Sequence, residues 1–256
     1  GSEMCIRDRW PPYDRYASIA QLIRDARTYA KDDKSIILAA YLKPFREGKR
    51  EKALPAAKLL MGSIVSNGAT HLLTGENQTA LTQGYYSDYT KFSDSEAEAI
   101  RRYYDYMIRY ENLFFDPELQ DVTMTHTGWD NYEYQCTSHK VSSYGEAGKI
   151  WMILREKDYR KCIYLLNLCG QSEDYWNEGK EEPNIQKDIK FTVQVDTPVE
   201  KICFSTPDGE NMDAIELSFT ERATKTGKFI DFTVPSLNYW TTCLLYTSDA
   251  ADEARS

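Results

Sequence analysis

The densest group of side chains able to do chemistry lies at His71-Leu72-Leu73-Thr74-Gly75-Glu76-Asn77-Gln78, followed by Tyr85, Tyr86 and Tyr89. An imidazole, a carboxylate and an amide in one short stretch can hydrogen-bond sugar hydroxyls, and tyrosine rings can stack on sugar rings. A packing reading is equally open, with His71 in the core and the tyrosines closing the end of the fold. Tyr41, at the end of the preceding apolar run, admits the same two readings, with packing slightly favoured. No G-x-G-x-x-G, P-loop, H-E-x-x-H or G-x-S-x-G occurs, and no cofactor is expected. The chain has 3 histidines, and His71, His126 and His139 are scattered, so no metal site is expected. Cys136, Cys162, Cys169 and Cys203 lack metal-ligand spacing and read as buried thiols.

These residues need elements to hold them. Asp14 can cap a helix bearing Ile19, Leu22, Ile23, Ala26 and Ala30 at helical spacing. Ser35–Tyr41 reads as a strand buried on both faces, Ala53–Ser66 as a second helix, and Thr70–Leu73 as a short strand. A long loop, 75–92, precedes the capping box Ser93-Asp94-Ser95-Glu96 and a third helix with Ile100, Tyr103, Tyr104, Met107 and Ile108 on one face. Alternating helix and strand imply parallel strands with crossover helices, and in a β/α barrel the strands' C-terminal ends carry the active site.

After Pro117 the pattern changes. Strand-like runs at 149–155, 161–168, 190–195, 201–204, 214–219 and 228–233 alternate with turns such as Lys157-Asp158, Pro207-Asp208-Gly209 and Lys225-Thr226-Gly227. Short strands at this spacing suggest a β-sandwich. A net charge of −9 argues against nucleic acid as a partner. No apolar run approaches the roughly 20 residues of a membrane helix.

The two ends have a different character. Glu3–Asp8 and Cys243–Ser248 can be encoded by opposite strands of one DNA element that resembles a sequencing-library adapter. Residues 1–9 and 243–256 are therefore expected to be adapter-derived rather than native, leaving 10–117 and 118–242 as two native regions.

The runs Ser66–Glu76, Tyr85-Tyr86, Tyr103–Tyr106 and Tyr110–Leu113 together resemble glycoside hydrolase family 66, of dextranases and cycloisomaltooligosaccharide glucanotransferases. So do Lys149–Trp151, Tyr164–Leu168, Pro207-Asp208 and Val234–Trp240 in the second half. The resemblance implies the last two β/α units of a (β/α)8 TIM barrel over 10–117 and a truncated antiparallel β-sandwich over 118–242. It implies a parent that acts on α-1,6-glucan with retention, by hydrolysis or transglycosylation, and that is secreted or held at the cell envelope. The family's Asp nucleophile and Glu acid/base fall upstream of Trp10, so the chain holds no catalytic residue and is expected to be inactive; Glu3 is not a substitute. The substrate-binding residues it points to are Trp10, Tyr41, His71, Glu76, Asn77 and Tyr85. One departure is Leu42-Lys43-Pro44, where the family's strand usually ends in a Met-Asn-like polar pair. Two rival readings are another α-glucan-active barrel enzyme and a non-catalytic carbohydrate-binding protein, which the upstream carboxylates would separate.

Overall fold

The computed structural model describes residues 3–4, 13–30, 34–48, 50–83, 90–128 and 130–248. The chain divides into two compact units: residues 1–117 with 146–148 and 170–183, and residues 118–145 with 149–169 and 184–256.

In the first unit three parallel strands, β1 (Glu3–Met4), β2 (Ile37–Leu38) and β3 (Thr70–His71), alternate with helices α1 (Tyr16–Tyr29) and α2 (Ala53–Ser66). A two-stranded ladder, β4 (Thr79–Ala80) with β5 (Thr90–Lys91), leads into α3 (Asp94–Arg109) and the single turn α4 (Glu111–Phe114). Helix α2 packs on α1, α3 and β3, and nearly every residue along it is buried, because alanine and glycine let its neighbours approach. The register pairs Ile37 with Thr70 and Leu38 with His71. Leu38 and His71 have no exposed surface, whereas Ile37 and Leu72 are 38% and 44% exposed. One sheet face is covered and the other is open.

Several details depart from the sequence expectations. The strand expected over 35–41 reduces to two ladder residues, and it is not buried on both faces, since Ile37 is exposed. Helix α1 starts one residue later than expected: Arg15 is its N-cap and provides no side-chain cap. On α3, Ile108 is 69% exposed and Tyr106 is buried in its place, because the buried stripe Glu96, Ile100, Tyr103, Tyr106 and Met107 is turned away from the 104/108 side of the helix. The capping box at Ser93 and Glu96 is present, and Glu96 also takes Arg50 Nε at 2.8 Å and Nη2 at 2.7 Å. The 75–92 loop is not structureless, because β4 and β5 pair within it.

Residues 170–183 belong to this first unit although they interrupt the strand-rich half of the sequence. Trp176, 1% exposed, donates from Nε1 to Tyr13 O at 2.6 Å. Lys180 is buried, and its ammonium donates to Glu173 Oε1 at 2.7 Å and to the carbonyls of Tyr175 and Glu178. Burial lowers its pKa, and the Glu173 carboxylate opposes that shift. Arg15 pairs with Asp174, and Lys43 donates to Glu178 at 3.0 Å. A buried lysine demands such satisfaction, so the segment is held by specific partners rather than by apolar area alone.

The second unit is two sheets. One runs β13-β12-β16-β10-β9-β6, from β13 (Ile215–Glu216), β12 (Val199–Ser205), β16 (Trp240–Thr247), β10 (Arg160–Asn167) and β9 (Ile150–Lys157) to β6 (Gln120–Asp121), with β8 (Val141–Ser142) parallel to β9. The other runs β14-β15-β11-β7, from β14 (Phe219–Thr224), β15 (Gly227–Leu237) and β11 (Gln186–Val195) to β7 (Tyr134–Cys136). Inward residues of both sheets, among them Ile163, Leu165, Phe191, Ile230 and Phe232, form one buried cluster. Strands β11 and β15 alternate inward apolar with more exposed residues, the pattern of a sheet with one face on a core. The central strands β9, β10 and β16 of the other sheet are instead buried on both faces, with Trp151, Tyr164 and Trp240 among the buried residues. The hairpin at Lys157-Asp158 forms with Asp158 at φ 37°, and Gly227, at φ 141°, closes the β14–β15 turn.

Three features were not expected from sequence. A one-turn helix, α5 (Thr123–His126), precedes β7, and the run expected at 214–219 splits into β13 and β14. Strand β16 continues past residue 242, where adapter-derived peptide was expected to begin. Cys243 and Leu245 enter the core there because Cys-Leu-Leu-Tyr-Thr fits the alternation of a strand slot whatever its origin. Of the thiols expected to be buried, Cys136 and Cys169 are only partly so, because each sits where a strand ends. All described cysteines are free.

Candidate functional site

The end of β3 is built by its return loop. Gly75 N donates to Thr79 O at 2.8 Å, Thr79 Oγ1 to Glu76 O at 2.6 Å and Leu81 N to Leu73 O at 2.8 Å, so the chain doubles back on itself. A Cβ on Gly75 would lie 2.9 Å from Thr79 Oγ1, so only glycine lets the turn close this tightly. At the tip Asn77 has φ 55° and Gln78 φ 58°, a left-handed pair that costs each side chain energy. Leu42 N donates to Leu81 O at 3.2 Å, which brings the end of the β2 segment beside the same loop. Tyr104 of α3 clips the strand end from below, donating to His71 O at 2.8 Å and accepting from Leu73 N at 3.1 Å.

The candidate residues separate on this scaffold. Glu76 and Asn77 are exposed on the turn, and Tyr41 is half-buried at the neighbouring strand end. His71 does not join them. Its side chain lies on the covered face of the sheet with Nε2 2.9 Å from Ala40 O, and Nδ1 has no protein partner. Burial pushes its pKa down to about 4. The direct sugar contact expected for His71 is therefore corrected: the even spacing of the strand turns residue 71 inward, and the ring ties β3 to β2. Trp10 and Tyr85, with Tyr86 and Tyr89, lie outside the described residues.

Beside the turn is a cavity of about 550 Å³ lined by Thr74, Gln78, Phe92, Glu98, Arg101 and Tyr104, among others. Phe92 and Ile100 give it an apolar floor, and the carboxylate of Glu98 and the guanidinium of Arg101 stand at its rim. Such a surface suits a ring with apolar faces and hydroxylated edges. Beyond the turn the sequence points to Tyr85, Tyr86 and Tyr89, while the third helix reads as packing. The available signal was Asp94, Glu98 and Arg101, spaced by four and three on one helix face. Among the described residues no His, Cys, Asp and Glu group is arranged to hold a metal ion.

A family model described as glycosyl hydrolase family 66 matches residues 2–244. A cycloisomaltooligosaccharide glucanotransferase of Niallia circulans is 28% identical over 188 residues, covering 72% of this chain and 19% of the relative. A second glucanotransferase of the same name and organism is 26% identical over 197 residues, 76% of this chain and 20% of the relative. The chain thus spans about a fifth of the length of these curated relatives. The backbone superposes on a Paenibacillus sp. cycloisomaltooligosaccharide glucanotransferase solved with cycloisomaltoheptaose. The TM-score is 0.80 at 15% identity, over 92% of this chain and 51% of that one.

Proposed function

The chain belongs to glycosyl hydrolase family 66, and from that membership we propose that it is part of a retaining enzyme acting on α-1,6-linked glucan, by hydrolysis or transglycosylation. The match over residues 2–244 carries the reading. In this reading β2 and β3 with their helices are the last two units of a (β/α)8 barrel, and the two-sheet unit is its C-terminal sandwich. Retention needs two carboxyl groups about 5–5.5 Å apart, one attacking the anomeric carbon and one protonating the leaving oxygen. The family resemblance puts both on strands upstream of residue 10, and on that ground we propose that the 256-residue chain cleaves nothing by itself. The parent acts outside the cytoplasm, where a polymeric glucan is met.

Within that enzyme the turn after β3 stands at the end of a parallel strand, where barrel ligands bind. Glu76 and Asn77 hydrogen-bond glucan hydroxyls, Tyr41 borders the same place, Trp10 and Tyr85 supply ring faces, and His71 positions the strand end. A hydrogen bond to a charged group is worth about 1.5–3 kcal/mol, so Glu76→Gln in the restored full-length enzyme should lower kcat/KM on dextran by about ten- to a hundredfold. His71→Ala should lower Tm together with activity. Unchanged kcat/KM in Glu76→Gln and Asn77→Ala would remove the turn from the glucan site, and dextran cleavage by the 256-residue chain would overturn the placement of the carboxylates.

A further inference from the structure

A groove of about 620 Å³ in the second unit crosses the outer face of the sheet β14-β15-β11-β7. Its geometry follows from register. Cys136, Phe191, Phe232 and Phe219 pair in one transverse row, and Phe191 and Phe232 point into the core with ring centroids 5.5 Å apart. The rows on either side must therefore point outward, roughly 6.8 Å apart along the strands. One wall is Thr192, Asp231 and Thr220; the other is Thr137, Lys190, Thr233 and Ser218. The floor between them is backbone.

The walls carry donors and acceptors in near balance. Asp231 accepts from Thr192 Oγ1 and from Arg222 Nε at 2.8 Å, which holds its carboxyl below the usual range and fixes its oxygens in place. Each oxygen keeps a lone pair for a further donor. Lys190 has no carboxylate partner among the described residues. The hydroxyls of Ser218, Thr220 and Thr233 are likewise uncommitted among them. Threonine methyl groups provide small apolar patches, but no large apolar side chain is exposed along the walls. An apolar peptide has nothing to bury here, and a polyanion meets Asp231 and a chain of net charge −9. A neutral chain with hydroxylated edges and C–H faces fits on both counts.

We propose that this groove, between the Thr192–Asp231–Thr220 and Thr137–Lys190–Thr233 rows, is a second glucan-binding site separate from the strand-end turn. The choice of an α-1,6-linked glucan rests on the function proposed above; the groove does not. The test titrates linear isomaltohexaose into the full 256-residue chain, followed by amide chemical shifts, with maltohexaose in parallel. Saturable shifts at Thr192, Thr220 and Asp231 are expected, with the dissociation constant raised about fivefold or more in Lys190→Ala and Thr233→Val. Both positions are on the surface of the sheet, so Tm should hold. No saturable shift, or equal binding in both variants, would overturn the site. Tighter binding of maltohexaose would overturn the assigned linkage. In the restored enzyme Lys190→Ala should leave cleavage of short isomalto-oligosaccharides unchanged, so failure here and failure of the proposed parent activity are told apart.

Discussion

The two units solve the strand problem differently. In the second unit strands of up to 11 residues pair along their length, and inward side chains from both sheets meet in one buried cluster. In the first, parallel ladders are two residues long, helices cover one face, and Ile37 and Leu72 stand open on the other. In the second unit both partners of each long ladder, including pairs as distant as Arg160 and Tyr246, lie within the chain, so the ladders and the core are completed within it. Parallel strands need crossover helices and neighbours distant in the chain, so a stretch this long yields a finished helix face and an unfinished strand face. The first unit also carries polar clasps, at Lys180–Glu173 and Arg50–Glu96, as the second does at Lys161–Glu156.

The largest test of this contrast is Phe191→Ala, which empties the stacked pair at the centre of the two-sheet core. A loss of about 3–5 kcal/mol is expected in the second unit, read by hydrogen exchange of residues 150–237, with the amides of 36–73 little changed. Stronger protection of 36–73 than of 150–237 in the unaltered chain would break the comparison.

Next in size is a pH effect confined to the first unit. The folded pKa of His71, about 4, lies below the unfolded value of about 6.5, so the folded state disfavours the proton. Stability is then whole above pH 6.5 and falls as the pH drops toward 4, by about 3 kcal/mol across that window. Urea unfolding at pH 6.5, 5.5 and 4.5 should show the loss in the native chain and not in His71→Gln. Identical pH dependence in both would mean another group is responsible.

Removing the lysine clasp should have a smaller effect. Lys180→Met leaves Glu173 and two carbonyls without their donor, and about 1.5–3 kcal/mol should be lost, with Trp176 fluorescence shifting as the 170–183 segment loosens. A neutral outcome would mean the segment is held by Trp176 packing alone.

Smallest of all, Gln78→Gly relieves a left-handed residue at a cost in chain entropy, and should change stability by less than about 1 kcal/mol while lowering glucan affinity in the restored enzyme. A gain in both would show that the strain serves no binding purpose.

Periodicity alone placed α2 at Ala53–Ser66, the capping box at Ser93 and the hairpin at Lys157-Asp158, since each depends on neighbours within a few residues. The same local reading located the strand-end turn and its exposed Glu76 and Asn77. It did not reveal that residues 170–183 belong to the first unit or that Cys243 and Leu245 fill a core position, and it left open whether His71 faces the core. These depend on register and on partners more than thirty residues away, such as Ala40 for His71 and Tyr13 for Trp176. Nor did it foresee the cavity beside α3 or the groove between two outward rows of the sheet, because each is a space enclosed by several elements. Local hydrogen bonding and side-chain period are written along the chain, whereas which face meets which, and what space is left between them, is decided only when distant segments pack.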